Sequence, residues 1–347
     1  MAPDHDLSAG GDVLDRVRES ARAALREYDC HPDSSVELLN VSENATFLVT
    51  DPEHGPSVLR VHRLGYHTED EIASELAWMD ALRAEAGVRT PRVLAARDGR
   101  RIVTTAATGP GGAAAGGPGQ FSTVRHCVRF EFLPGTEPAE SAADSVAHFA
   151  ELGEITARMH AHARDWRRPG WFTRFHWDYP AAFGAEARWG RWQDGIGVGP
   201  AEAEILGRLD RTLERRLSAF GTGPERYGLV HADTRLANLL VHDGAVSVID
   251  FDDSGFGWYL YDLGTSVSFF EHEPVVPALV DSWLAGYRAH GEVTAADENE
   301  IWTFIMFRRL LLVAWIGSHR AVDIAAELGA GYTRDSCDLA ERYLSRH

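Results

Sequence analysis

Residues 227–241 read YGLVHADTRLANLLV, and the rest of the chain is best read outward from them. Two apolar runs, Leu229-Val230 and 239–241, are interrupted by His231, Asp233, Arg235 and Asn238. A buried strand has no place for four such groups unless each finds a partner, because burying an unpaired polar side chain is costly. The interruption is therefore either a surface Asx turn beside a hairpin or a site that uses the groups. The next segment separates the two readings. Twelve residues past Asn238, the strand-like AVSVIDF (245–251) delivers Asp250, and Asp252 and Asp253 follow. Phosphoryl transfer asks for such a set: one carboxylate to orient the attacking hydroxyl, and oxygen ligands to hold Mg²⁺ on the nucleotide phosphates. Asp233 fits the first role, Asn238 and Asp250 the second.

Bulk properties narrow the partners. The 347 residues suffice for two lobes. The net charge of −18 argues against a nucleic-acid backbone or an anionic membrane as partner, but not against a nucleotide held through a metal ion. Cys30, Cys127 and Cys337 lie far apart, with no CxxC site or disulfide framework, as suits a reducing cytosol. The start has no basic region and apolar stretch of a signal peptide, and the apolar run LLLVAWIG (310–317) is too short to span a bilayer, so a cytoplasmic protein is expected. All 34 cationic side chains are arginine. That excludes a Walker A loop and Schiff-base lysine chemistry, and a GC-rich coding bias explains it.

Periodicity predicts an amphipathic helix over 12–28 and strands at ATFLVT (45–50), SVLRVH (57–62), RIVTTA (101–106) and VRHCVRFEFL (124–133). The last alternates, with Val124, His126, Val128, Phe130 and Phe132 on one face. One helix, EDEIASELAWMDALRAEAG (69–87), lies between the second and third, closed by Gly87. After Pro134-Gly135 the pattern turns helical, at 145–163, 201–219, 275–290 and the nearly all-apolar 298–317. The expected fold is α+β, a small antiparallel β-sheet lobe with one helix and a larger, mainly helical lobe. The boundaries read as an N-terminal helical segment at 1–35, a small lobe at 36–133 and a large lobe at 134–347. The Gly-rich 109–119 joins two strands, so no helix N-terminus waits to hold an anion there. It reads as a flexible hairpin loop.

HADTRLANLLV followed by VIDFDDSGFGWYLYDL resembles the aminoglycoside phosphotransferase/choline kinase superfamily, which is similar in fold to protein kinases. VLRVHRLGYHT, SELAWMDAL and RFEFLPG match its small lobe and hinge in order, so the resemblance covers the chain from about residue 36. The look is nearest the homoserine-kinase-like and stress-response-kinase-like branch. The resemblance implies a protein-kinase-like two-lobe fold, with Asp233 as catalytic base and Asn238 and Asp250 as metal ligands. Asp252 would help the metal or face the substrate. His231 would brace the catalytic loop, with Asp262 packed beneath it. Arg235 is either near the γ-phosphate or simply exposed.

The family's nucleotide lysine is absent, and Arg60 stands in its place. On the following helix Glu75 falls inside the stripe of Ile72, Leu76, Met79 and Leu82, where a carboxylate needs a partner. Arg60 is the natural one, with Arg63 the rival, and the pair would position the α/β-phosphates. The phosphate-covering turn is NVSENATF, with Ser42, Glu43 and Asn44 and no glycine. Glu131, Phe132 and Leu133 at the hinge would offer backbone groups to adenine, as the resemblance implies.

On the acceptor side, WFTRFHWDYPAAFGAEARWGRW (171–192) concentrates aromatics, and the acids Asp178, Glu186, Asp252, Asp253 and Glu271 would suit a cationic amine. Plain packing explains the aromatics as well. His160 and His162 diverge on their helix and form no metal site. The expectation is thus an ATP- (or GTP-) and Mg²⁺-dependent kinase for a hydroxyl on a small, amine-bearing alcohol, amino sugar or antibiotic-like compound, with no nucleic-acid or membrane partner. Two other readings stay open. One is a pseudokinase-like peptide- or nucleotide-binding module, which the missing lysine and glycine-free turn would favour. The other is a protein Ser/Thr kinase.

Overall fold

The computed structural model describes residues 10–41, 44–106, 124–138, 142–320 and 322–347. The Gly-rich 109–119, Ser42 and Glu43 lie outside the described residues. The chain divides into two units: one of Met1–Asp80, Pro91–Leu133 and Trp171–Thr173, the other of Ala81–Thr90, Pro134–Gly170 and Arg174–His347.

The first unit is an antiparallel sheet with a helix on it. Its elements are α1 (Gly10–Leu25), β1 (Ser35–Val41), β2 (Ala45–Asp51), β3 (Gly55–Val61), α2 (Glu69–Glu85, whose last turn falls in the second unit), β4 (Val93–Leu94), β5 (Val103–Ala106) and β6 (Val124–Glu131). The strands run β1-β2-β3-β6-β4, with β5 also pairing to β6. Val13, Val17, Ala21, Ala24 and Leu25 of α1 pack on Phe47, Val49, Leu59, Val61 and Cys127, so α1 belongs to the sheet's core. Gly87 has φ +63, a left-handed residue just past the end of α2.

The sequence reading of β6 needs correction. Arg125, Cys127 and Arg129 are buried as well as Val128 and Phe130, while Phe132 is exposed. The strand is central, so both faces are covered, and α1 takes the Cys127 side. Arg129 is admitted because Ser57 Oγ (2.9 Å) and Cys30 Sγ (3.0 Å) accept from its guanidinium. Strand β1 escaped prediction because it is an edge strand whose residues are all at least partly exposed, so SVELLNV carries no clean alternation.

The second unit is mainly helical: α3 (Ala142–Asp165), β7 (His176–Trp177), α4 (Tyr179–Phe183), α5 (Pro200–Phe220), β8 (Tyr227–Val230), β9 (Leu239–His242), β10 (Ala245–Val248), β11 (Gly255–Trp258), α6 (Tyr259–Ser266), α7 (Val276–Tyr287), α8 (Ala295–Glu298), α9 (Ile301–Ser318) and α10 (Asp323–Leu344). Helix α9 is its axis, packed against α5, α6 and α10. The stretch Ala295–Ser318 is long and apolar enough to cross a membrane, yet 83% of its apolar window is buried inside the protein, which makes it a core helix. Helices α3 and α7 cross so closely that a Cβ on Gly286 would lie 1.8 Å from the Ala150 carbonyl oxygen, and one on Gly153 2.0 Å from that of Trp283. Two small sheets complete the unit, the hairpin β9-β10 and the trio β7-β11-β8.

The strand expected over 245–251 ends early, at Val248. The N–H of Ile249 still donates in register to the Asn238 carbonyl (2.9 Å), but the Asn238 N–H turns back to the Arg235 carbonyl (2.9 Å), and Asp250 then takes a left-handed backbone with φ +60.

Candidate active site

Between β8 and β9 the chain turns sharply, and Asp262 in the first turn of α6 holds the turn in place. Ala232 sits at φ +67, a conformation that an L-residue adopts only when its surroundings insist. The buried Asp262 carboxylate insists: Oδ2 accepts the N–H of His231 (3.1 Å) and Oδ1 that of Ala232 (2.6 Å). Thr234 Oγ1 donates to the Asp262 carbonyl (2.6 Å), and its N–H donates to Thr265 Oγ1 (3.0 Å). From α3, His160 Nε2 meets Asp262 Oδ2 at 2.9 Å, and its Nδ1 meets the Tyr287 hydroxyl at 3.0 Å. Burial keeps the His160 pKa below its ordinary value despite that carboxylate.

His231 links the loop to the end of β10. Its Nδ1 accepts the N–H of Asp233 (3.3 Å), so Nε2 carries the proton and donates to the Ile249 carbonyl (3.1 Å). With Ile249 tied to both His231 and Asn238, the backbone entering Asp250 is fixed beside the 231–238 loop. Asp233 and Asn238 are brought together directly. The Asn238 amide nitrogen donates to the Asp233 carbonyl and to Asp233 Oδ2, both at 2.8 Å.

Asp233 is buried, and its carboxylate is saturated with donors. Arg235 Nε lies 3.1 Å from Oδ1 and 3.2 Å from Oδ2, and Arg308 Nη2 reaches Oδ1 at 2.8 Å. Burial pushes the carboxyl pKa up, but the charges of Arg235 and Arg308 more than offset it, and the net direction is down. Asp233 is therefore a weak base that is held very still. Arg308, on α9, was not singled out from the sequence. The signal was there, in the pair Arg308-Arg309 inside an otherwise apolar helix.

The oxygen donors suit a hard divalent cation. Both contacts of the Asn238 amide are to oxygens, so its nitrogen must face Asp233 and its Oδ1 is the atom left to coordinate. Asp250 is exposed and Asp252 buried, two residues apart. An amide oxygen with carboxylates fits Mg²⁺. No group of three or more His, Cys, Asp or Glu among the described residues is arranged as a metal site.

In the first unit, the ion pair inferred from Glu75's position is present. Arg60 Nη2 donates to Glu75 Oε1 at 2.6 Å, both residues are buried, and the guanidinium stands over Phe130 at 5.2 Å. Arg63, the rival, places its guanidinium 4.5 Å over Tyr66. Asn44 Oδ1 accepts the N–H of Arg63 (3.1 Å), so part of its side chain serves the turn itself. At the hinge, Glu131 is already committed: its N–H donates to the Arg92 carbonyl and its Oε1 accepts from the Arg92 N–H, each at 2.9 Å. Adenine recognition by backbone N–H would fall to Phe132 and Leu133.

The acceptor-side expectation divides in the same way. Trp177, Trp189 and Trp192 are core residues. Asp178 accepts the Ala181 N–H and caps α4. Glu271 is spent on Arg309 (2.5 Å) and the Tyr332 hydroxyl (3.0 Å). Of the five acids, Asp252 and Asp253 adjoin the site, and Asp253 acts electrostatically on Tyr261 and Arg308.

Comparison with known proteins agrees with this geometry. The profile of the phosphotransferase enzyme family matches residues 36–297. A solved microcompartment-associated aminopropanol kinase is 49% identical, with a TM-score of 0.83 over 94% of this chain and 97% of that one. The amicoumacin kinase of Bacillus subtilis is 24% identical over 338 residues, covering 92% of this chain and 87% of its own. An uncharacterised protein of Deinococcus radiodurans is 28% identical over 320 residues, 90% of this chain and 86% of its own.

Proposed function

Since the chain belongs to the phosphotransferase enzyme family, we propose that it is an ATP- and Mg²⁺-dependent kinase acting in the cytoplasm on the hydroxyl of a small amine-bearing alcohol, with an aminopropanol as first candidate. The observation that carries this reading is the Asp233 carboxylate, held by Arg308, Arg235 and Asn238 in one orientation. A loose phosphoryl-transfer transition state needs its nucleophile aimed more than deprotonated. A weakly basic, immobile carboxylate does that: it accepts the acceptor's O–H and points the oxygen at phosphorus. Asn238, Asp250 and Asp252 would hold Mg²⁺, which when bound neutralises charge on the nucleotide phosphates. Arg60, oriented by Glu75, would contact phosphate oxygens, with Asn44 beside them. Arg235 would move from Asp233 toward the transferring group. Phe132 and Leu133 would meet adenine, and Asp253 would attract the substrate's ammonium.

The complete catalytic loop argues against a non-transferring binding module, and the 49% identity to a small-molecule kinase argues against a protein kinase. The test is a panel of amino alcohols, choline, aminoglycosides and a protein substrate, each with Mg²⁺ and either ATP or GTP, read as ADP or GDP release and phosphorylated product. Phosphorylation of a small amino alcohol, with ATP preferred, is expected. Nucleotide binding without turnover, or phosphate appearing only on protein, would replace the proposal with one of its rivals.

A further inference from the structure

Helix α9 buries two adjacent arginines, Arg308 at 2% exposure and Arg309 at 0%. A guanidinium taken from water must be matched by partners, and the two are matched in different ways. Arg309 is closed within the helical packing. It pairs with Glu271 (2.5 Å), donates to Ser336 Oγ (2.7 Å) and the Tyr332 carbonyl (3.1 Å), and stacks on the Tyr332 ring at 3.6 Å. Arg308 has no such closed set. Its Nε donates to Ser268 Oγ (3.0 Å), its Nη1 to the Tyr261 hydroxyl (3.1 Å) and its Nη2 to Asp233 Oδ1 (2.8 Å), while its plane is backed by Trp189 at 5.1 Å.

We propose that Arg308 is the positioning residue for phosphoryl transfer: a rigid fork, fixed on Ser268 and Tyr261, whose third arm sets the orientation of the Asp233 carboxylate. This rests on the functional reading above, in which Asp233 aims the acceptor hydroxyl. The planar guanidinium is essential, because three donors in one plane meet three acceptors on different parts of the chain. A lysine could satisfy only some of them. Arg235 cannot substitute. It comes from the same loop as Asp233, keeps 31% of its side chain exposed, and spreads one nitrogen across both carboxylate oxygens. Arg308 and Asn238 each take one oxygen from buried positions, and the place between the oxygens, where Arg235 Nε lies, is the one a substrate hydroxyl would occupy.

The neighbour supplies the control. Arg308→Lys, Arg308→Ala and Arg309→Lys are compared with wild type for kcat, nucleotide KM and Tm, with an amino alcohol as acceptor. Arg308→Lys is expected to lose about 10²-fold in kcat, the scale of a small misplacement of a reacting group, with nucleotide KM little changed. Guanidinium ion, but not an alkylammonium, is expected to restore part of the kcat of Arg308→Ala. Arg309→Lys is expected to lower Tm while kcat stays within a few-fold. If Arg308→Ala does not fold, Arg308→Lys with Ser268→Ala carries the test, the latter expected to lose kcat more than Tm. The proposal is overturned if Arg308→Lys keeps wild-type kcat, or if Arg309→Lys loses as much, because the effect then follows helix packing. A wild-type enzyme that phosphorylates no alcohol is a separate result: it removes the functional reading itself and this proposal with it.

Discussion

At the scale of single residues, the paired charges carry both what could be read and what could not. Glu75 was legible because a carboxylate inside an apolar stripe demands a cation, and Arg60 supplies it at 2.6 Å. The contact between Asp233 and Asn238 was legible by spacing. Arg308 was not, because its partner lies 75 positions away in sequence and no local pattern says which buried arginine reaches which loop. The bond that takes up the Glu131 N–H was not legible for a similar reason, since Arg92 is 39 positions distant. The Arg60–Glu75 pair gives a prediction at this scale. Glu75→Gln removes the buried carboxylate that Arg60 donates to and should cost about 3 kcal/mol of stability, measured by denaturant unfolding. Arg60→Met combined with Glu75→Leu should regain most of that stability, yet nucleotide affinity by calorimetry should remain lost. Recovery of affinity in the double variant would detach the pair from nucleotide binding.

At the scale of elements, prediction succeeded where one face of a helix or strand was plainly apolar and failed where tertiary context overrode pattern. Strand β6 is covered on both sides, β1 is an exposed edge, and 245–251 stops pairing at Ile249 because the Asn238 N–H turns back to the Arg235 carbonyl. The α3–α7 crossing is invisible in sequence beyond two unremarked glycines. Gly286→Ala would drive a Cβ into the backbone of α3, and a cost on the order of 3 kcal/mol or more is expected, seen as a lower Tm. The end of β2 offers a pH test. Burial raises the pKa of Asp51, but the N–H groups of His31, His54 and Glu53 and the Ser34 hydroxyl pull it well below the usual carboxylate range. A depressed carboxyl stabilises the fold above its unfolded pKa, about 4, and that contribution is lost as pH falls through the folded value. The Tm gap between wild type and Asp51→Asn should therefore be widest near neutrality and narrow below about pH 4. A gap independent of pH would contradict this.

At the scale of the molecule, the order of elements pointed to an α+β fold and the resemblance carried by HADTRLANLLV and VIDFDDSGFGWYLYDL to a kinase-like one, and membership of the phosphotransferase enzyme family agrees. The acceptor was far less legible, because the residues around Asp233 come from α6, α9 and the 250–254 turn, and two of the acids expected there serve packing instead. The central claim is that Asp233 aims an alcohol at a nucleotide's terminal phosphate. Its most direct measurement is the rate of phosphorylated amino alcohol formation, by mass spectrometry with Mg²⁺-ATP and an aminopropanol, in wild type and Asp233→Ala. The account predicts steady product from wild type and a loss of at least about 10³-fold in the variant, with nucleotide binding intact. Product from the variant at near wild-type rate would contradict it.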